Sequence, residues 1–346
     1  IYAVTGSDGK TTTTTLISKF LEAQGKRVWL GGNIGKALLP EIEEVKEDDA
    51  AVVELSSFQL ISMRRSPDVA VITNVAPNHL DVHKDMQEYI DSKKNLYLHQ
   101  NAFSRTVLNL DNDVTRSFAP EVRGELSFFS RREMPENGAF LDEDGVLYAV
   151  HHGRKEALLK KDEIVIPGLH NVENYLAAIS AVDGEVEPEK IVKVAKTFGG
   201  VEHRIERVRE LDGVTWYNDS IASSPSRTIA GLNSFNQKII IIAGGYDKKI
   251  PYEPLAPKII EKVKALVLMG TTGPKIEAAV RACEGFEESG LIIEHAGDME
   301  EAVAIARRLA KPGDVVSLSP ASASFDKYPN FEIRGRHFKS IVNGLK

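Results

Sequence analysis

The opening stretch, Ile1-Tyr2-Ala3-Val4-Thr5-Gly6-Ser7-Asp8-Gly9-Lys10-Thr11, leaves the chain little choice of fold. It is an apolar run and a glycine-bracketed turn, then Lys-Thr leading into Leu16, Ile17, Phe20 and Leu21 at helical spacing. A strand turning directly into a helix is the building unit of parallel α/β folds. Glycine lets backbone pass close to an anion, helix-start amides supply partial positive charge, and Lys10 adds a full one. The pattern is G-x-x-G-K-T, shorter than the general nucleotide loop because Val4 stands where that loop has its first glycine. We read it as a phosphate cradle made of Gly6, Ser7, Asp8, Gly9, Lys10, Thr11 and Thr12, with the Thr11 hydroxyl offered to Mg²⁺. An ordinary strand–turn–helix corner is the alternative.

The totals narrow the setting. A chain of 346 residues with 42% hydrophobic content is long enough for two domains, each with its own core. A net charge of -7 gives no basic field for nucleic acid or an anionic membrane, so an anionic ligand must be held by local donors. Cys283 is the single cysteine and reads as a core or half-buried residue. With no spanning apolar run, no signal-like start and no internal disulfide, the expectation is a cytoplasmic protein. The chain starts with Ile inside an apolar strand rather than with Met, so an upstream segment is expected to be missing.

Along the first half, apolar runs end repeatedly in polar turns. Val28-Trp29-Leu30 leads to Gly31-Gly32-Asn33-Ile34-Gly35, and Ala50-Ala51-Val52-Val53 ends in Glu54. Ligands of open α/β sheets bind at such strand ends. Glu54 is therefore a natural Mg²⁺ partner for the loop, with capping of the Ser56-Ser57 turn as its plainer use. Val69 to Val75 is a further buried strand, followed by Asn78-His79-Leu80-Asp81-Val82-His83. The two histidines are four apart, but the zinc peptidase motif needs Glu after the first and Leu80 stands there, so zinc is rejected. His79 more plausibly meets hydrated Mg²⁺ or phosphate. The spacing predicts a helix over 86–98, in which Lys93 and Lys94 read as solvated surface lysines. Residues 126–166 shift to short β segments around an Asp144-Gly145 hairpin turn. A helix then carries Asn171 and Asn174 on its first turn, where they would read a base edge or, for Asn171, cap the helix.

Gly199-Gly200 marks the expected domain boundary. Beyond it, strands and helices alternate from Val214 to Leu318, which predicts a second, doubly wound parallel sheet. Its strand-end loops hold Asn218-Asp219-Ser220, Gly244-Gly245-Tyr246-Asp247-Lys248 and Ser319 to Ser324. The fold class expected is α/β: a P-loop ATPase-like central domain with a parallel sheet plus a small β segment (1–200), then a Rossmann-like doubly wound C-terminal domain (201–346). No internal repeat is visible.

Taken together, the chain resembles the Mur ligase family of peptidoglycan synthesis, most closely its D-glutamate-adding branch. The family-wide blocks are Gly6-Ser7-Asp8-Gly9-Lys10-Thr11-Thr12-Thr13, Ile72-Thr73-Asn74-Val75 with His79-Leu80-Asp81, Tyr89-Ile90-Asp91-Ser92-Lys93, Gly168-Leu169-His170-Asn171 and His203-Arg204. The branch is suggested by Asn33-Ile34-Gly35, by Glu54-Leu55-Ser56-Ser57-Phe58-Gln59-Leu60, and by Leu318 to Asp326 with Asn330-Phe331 and Arg334-Gly335. The resemblance implies ATP- and Mg²⁺-dependent ligation of D-glutamate to UDP-N-acetylmuramoyl-L-alanine through an acyl phosphate, by a monomer. It assigns Lys10, Glu54, His79, Lys93 and Arg204 to catalysis, and Thr11, Glu54, His79 and a carbamylated Lys93 to the metal. Asn171, Asn174, Arg204 and Asp219 join the phosphate loop in holding nucleotide. Asn33 meets the muropeptide, and Ser223, Lys248, Ser324 and Phe331 form the D-glutamate pocket.

Three departures stand out. Asn78 replaces an Asp that often precedes the metal-site histidine, and Ile221 replaces a Lys in the Asp219-Ser220-Ile221-Ala222-Ser223 loop, a loss for which Arg227 would compensate. The family's N-terminal uridine-diphosphate domain has no counterpart, so the isolated chain is expected to bind ATP but ligate weakly or not at all. A sister ligase, including a folylpolyglutamate-type one, and a nucleotide-binding fragment without ligase activity are the competing readings.

Overall fold

A computed structural model describes residues 1–34, 38–76 and 83–346, which form two compact units. The first comprises Ile1–Val165 and Leu169–Phe198, the second Ile166–Gly168 and Gly199–Lys346.

The strands of the first unit are β1 (Tyr2–Thr5), β2 (Val28–Gly32), β3 (Ala50–Glu54), β4 (Val69–Ile72), β5 (Arg105–Asn109), β6 (Glu125–Ser130), β7 (Gly138–Leu141), β8 (Val146–His151) and β9 (Arg154–Lys160). They form one nine-stranded sheet in the order β2-β3-β1-β4-β5-β6-β7-β8-β9. Neighbours are parallel from β2 to β7, and β8 and β9 are added antiparallel. The small β segment read in the sequence is thus an extension of the main sheet. β1 and β4 are buried at every residue, as their unbroken apolar runs require of strands covered on both faces. β9 is the opposite case: a largely exposed edge whose Arg154, Lys155 and Glu156 discourage pairing with another chain.

The chain passes from β1 through β2 to β3 on one side of β1, then crosses to β4 on the other. The turn after β1 therefore lies between the ends of β3 and β4, the crevice where such sheets bind ligands. The helix Lys10–Ala23 buries Leu16, Ile17, Phe20 and Leu21, and Phe20 meets Tyr175 of the helix Leu169–Ala181 with ring centroids 6.2 Å apart. The helix predicted over 86–98 runs only Met86–Lys94. Beyond it Leu96 and Tyr97 bond back three residues, to Lys93 and Lys94, and both turn into the core.

In the second unit the strands are β10 (Glu206–Leu211), β11 (Val214–Asn218), β12 (Ile239–Ala243), β13 (Val263–Leu268), β14 (Ile292–His295) and β15 (Val315–Leu318), ordered β10-β11-β15-β12-β13-β14. All pairs are parallel except β10 with β11. β12 shows why an apolar run needs two covering layers: Ile239, Ile241 and Ala243 enter one core, Ile240 and Ile242 the other. Cys283 is half-buried against the first of these. β10 escapes a hydrophobic reading because it is charged and half-buried, yet Asp212 and Gly213, both at positive φ, make the hairpin turn that joins it to β11. The neighbours β11, β15 and β12 end side by side, so the loops from Asn218, Ser319 and Gly244 meet at one edge.

Candidate functional site

The phosphate loop is braced by the segment that follows β4. Ser7 N donates to the Asn74 carbonyl (2.9 Å), Asp8 N to Asn74 Oδ1 (2.9 Å), and Thr73 Oγ1 to the Asp8 carbonyl (2.6 Å). Ser7 Oγ donates to the Ala76 carbonyl (2.9 Å) and lies 3.0 Å from the Tyr89 hydroxyl. Two glycines make this possible. At Gly6 (φ +152°) a Cβ would lie 1.9 Å from Thr73 Oγ1, and at Gly9 (φ +79°) it would lie 2.3 Å from Asn174 Oδ1. Lys10 Nζ donates to the loop's own carbonyls at Gly6 (3.0 Å) and Ser7 (2.9 Å). Asp8 is exposed and Thr12 is buried on the helix below.

Three predicted residues converge beside this loop. Thr11 Oγ1 donates to Glu54 Oε2 (2.7 Å) and Asn33 Nδ2 to Glu54 Oε1 (2.9 Å), while Asn33 N bonds the Glu54 carbonyl (2.8 Å). Glu54 is 2% exposed, so a carboxylate is held in a nearly dry position by two neutral donors. Such hard oxygen donors suit Mg²⁺ rather than a thiolate-seeking metal. Among the described residues no three His, Cys, Asp or Glu side chains cluster as a metal site. His79, with Asn78 and Asp81, lies outside the described residues, as does Gly35.

Lys93 is no surface lysine. It is 1% exposed, its Nζ donates to the Gly6 carbonyl (3.0 Å) and Thr5 Oγ1 (3.4 Å), and it lies 4.5 Å from the centre of the Tyr89 ring. Burial, aided by the nearby Lys10 cation, pulls its ammonium down to about 7, although Asp8 opposes this. A substantial share of Lys93 is therefore a neutral amine at neutral pH, able to attack an electrophile such as CO₂.

Asn174 lies behind the loop: its Oδ1 accepts from Thr13 Oγ1 (3.3 Å) and its Nδ2 donates to Asn171 Oδ1 (3.2 Å). Both asparagines are buried within the helix Leu169–Ala181.

The second unit gathers its predicted residues around the ends of β11, β12 and β15. Arg204 sits in a tight turn closed by its N–H on the Val201 carbonyl (2.9 Å). Asp219 follows β11, and its buried Oδ1 accepts from Ile205 N (3.3 Å) while Oδ2 has no hydrogen-bond partner among the described residues. Desolvation pushes this carboxyl up to about 8, against the lowering effects of that bond, Arg204 and Arg227. Ser223 is half-buried, in a turn whose N–H reaches the Ile221 carbonyl at 2.7 Å, and Arg227 Nη1 donates to that carbonyl at 3.2 Å. Lys248 is exposed, 5.9 Å from the ring centre of Phe325. Ser324 is buried, and Phe331 starts the helix Phe331–Gly344 with its ring edge-on to His203 at 5.8 Å.

Sequence reasoning assigned no role to four residues that organise these sites. Tyr89 links Ser7 to Lys93. Buried His83 lies 2.9 Å from Ser57 Oγ, stacks on Phe58 (5.0 Å) and meets Tyr89 edge-on (5.2 Å). Asn74 braces the loop, and Arg334 ties the second unit's loops. Arg334 did carry a signal, since a cation in a helix's first turn opposes the helix dipole and needs a reason.

Comparison with known proteins agrees with this architecture. Residues 4–182 match the family model for the Mur ligase middle domain, and residues 203–322 that for the Mur ligase glutamate ligase domain. The chain is 59% identical over 350 residues to the UDP-N-acetylmuramoylalanine--D-glutamate ligase of Acetivibrio thermocellus, covering 100% of this chain and 74% of that protein. The like-named protein of Clostridium perfringens is 52% identical over 347 residues, with the same coverage. Among solved structures, MurF from Acinetobacter baumannii superposes with a TM-score of 0.69 at 18% identity, over 98% of this chain and 76% of that one. UDP-N-acetylmuramate-alanine ligase from Thermotoga maritima gives 0.66 at 17% identity, over 100% and 76%.

Proposed function

The chain belongs to the Mur ligase family, and from that premise we propose that it joins D-glutamate to the L-alanyl carboxylate of UDP-N-acetylmuramoyl-L-alanine, with ATP consumed, in the cytoplasmic stage of peptidoglycan synthesis. The choice of substrates rests on relatives that carry that name and align along the whole chain. The chemistry rests on one observation: Thr11, Glu54 and the buried amine of Lys93 converge on a glycine-lined loop that also carries Lys10.

A carboxylate resists attack by an amine, so it must first be activated. Transfer of the γ-phosphoryl group of ATP to the L-alanyl carboxylate gives an acyl phosphate. The D-glutamate amine then attacks the acyl carbon, forming the amide as phosphate leaves with the former carboxylate oxygen. Phosphoryl transfer asks a protein for positioning and charge neutralisation rather than covalent help. The loop amides, Lys10 and Thr12 hold phosphates. Bound Mg²⁺ supplies further neutralisation, and Thr11, Glu54, His79 and Lys93 would hold it. Lys93 as an ammonium would repel the ion. Reaction of its neutral amine with CO₂ forms an N–C bond and releases a proton, leaving a carbamate whose oxygens fit a hard cation. Asn171 and Asn174 support the nucleotide side of the loop. Asn33 faces the muropeptide, while Lys248, Ser223, Ser324 and Phe331 hold D-glutamate, Lys248 by pairing with a carboxylate. In this reading residues 1–200 serve ATP and 201–346 the incoming amino acid.

The test is isotopic. With ¹⁸O in the L-alanyl carboxylate, one label should appear in released phosphate for each amide formed. Unlabelled phosphate would eliminate the acyl-phosphate route. ATP binding with no acceptor-dependent turnover would favour a nucleotide-binding module instead.

A further inference from the structure

Arg334 is 2% exposed and belongs to the first turn of the helix Phe331–Gly344. Its Nε donates to Ser220 Oγ (3.0 Å), Nη2 to the Ser220 carbonyl (2.9 Å), and Nη1 to the carbonyls of Ser322 and Ala323 (both 3.1 Å). A Cβ on Gly245 would lie 3.3 Å from Nη1, so that backbone also closes on the guanidinium. One side chain thus touches the loops that follow β11, β15 and β12, and Ser220 Oγ returns to the helix by donating to the Phe331 carbonyl (2.8 Å).

The partners are all neutral. Among the described residues Arg334 makes no ion pair, and Asp326 acts on it only through space. Burying a cation without an anion costs several kcal/mol, and placing it at the positive end of a helix adds to that cost. Burial draws the guanidinium down to about 10, which leaves it fully charged at neutral pH. The loop it holds is itself strained: Ala321, just before the two bonded carbonyls, has φ +55°. A second network pins the same place, with Ser322 Oγ 2.8 Å from both the Tyr252 hydroxyl and Thr272 Oγ1.

We propose that Arg334 is a positioning residue for the anionic amino-acid substrate, fixing the three loops and lending their pocket a positive charge with which no carboxylate among the described residues forms an ion pair. The inference rests on the ligase reading above. Ser324, next to the bonded Ala323, and Phe331 are held in register by this fork, and the field of the buried cation adds to that of exposed Lys248. A dicarboxylate entering the pocket supplies the missing anion.

The test compares Arg334→Met and Arg334→Lys in this chain joined to the upstream uridine-diphosphate domain of the Acetivibrio thermocellus relative, with D-glutamate-dependent phosphate release as the readout. Methionine should raise the KM for D-glutamate at least tenfold and leave the KM for ATP within twofold. Lysine, which keeps charge but loses the fork, should raise it about threefold. A folded Arg334→Met protein with a D-glutamate KM within twofold of the parent overturns the inference. So do equal losses in both variants with matching falls in kcat and melting temperature, since those indicate packing alone. If Arg334→Met does not fold, Arg334→Gln makes the same comparison, keeping donors without charge. A parent that shows no D-glutamate-dependent release even with that upstream domain in place instead defeats the ligase reading, before any variant is made.

Discussion

Gly9→Ala is the sharpest test of how the phosphate loop is built. Gly9 has φ +79°, where an L-residue costs about 1–2 kcal/mol, and its new methyl would lie 2.3 Å from Asn174 Oδ1. Asn174 is buried and must move. Its bonds to Thr13 (3.3 Å) and Asn171 (3.2 Å) are then lost or lengthened, at about 1 kcal/mol each. The single substitution should therefore destabilise the first unit by about 3–4 kcal/mol. Asn174→Ala alone costs about 2 kcal/mol, because Asn171 and Thr13 each lose a partner. The double variant should cost less than the sum, since the clashing oxygen is gone, and a coupling of about 2 kcal/mol is expected. Urea titration followed by hydrogen exchange, read on peptides of the helix Lys10–Ala23, resolves the first unit from the second. Additive costs would show that Gly9 and Asn174 do not meet as described, and a Gly9→Ala cost below about 1 kcal/mol would refute the backbone argument as well.

Other perturbations have equally definite outcomes. Lys93 titrates near 7 in the fold against an ordinary 10.5, so between those values the unfolded chain binds a proton that the folded chain does not, and stability rises with pH. Lys93→Met should therefore stabilise the first unit by about 4 kcal/mol at pH 7 in CO₂-free buffer, with the gain shrinking toward pH 10; calorimetry showing a pH-independent loss would contradict this. Glu54→Gln keeps the shape that meets Thr11 and Asn33 but removes the charge, so the melting temperature should hold within a few degrees while Mg²⁺-dependent turnover falls at least a hundredfold. Unchanged turnover would remove Glu54 from the metal site. Arg227→Ala should raise the KM for D-glutamate, and an unchanged value would end the idea that Arg227 replaces the charge missing at Ile221.

What the sequence made legible follows from burial. Parallel strands covered on both faces must be apolar throughout, so β1, β3, β4 and β12 stand out, and the polar end of β3 marks Glu54 as a neighbour of the loop. β10 was missed because an edge strand tolerates Glu206, Arg207, Arg209 and Glu210. Lys93 read as solvated because helix spacing says nothing about which face a neighbouring loop will cover; the Tyr89 ring lies one turn back on the same helix, but the Gly6 carbonyl that closes over the amine comes from distant sequence. Family resemblance, not spacing, singled it out. Arg334 went unassigned because its acceptors are backbone carbonyls and a serine, so no oppositely charged residue in the sequence points to it and its place in a helix's first turn is the one cue.

The central claim is tested most directly by phosphate release from ATP with UDP-N-acetylmuramoyl-L-alanine and a panel of amino acids, at enzyme concentrations high enough to see a single turnover. Selectivity rather than rate is the readout. The account predicts release that needs both the acceptor and D-glutamate, with L-glutamate, L-alanine and meso-diaminopimelate at background. Release supported equally by another amino acid, or indifferent to D-glutamate, would contradict it.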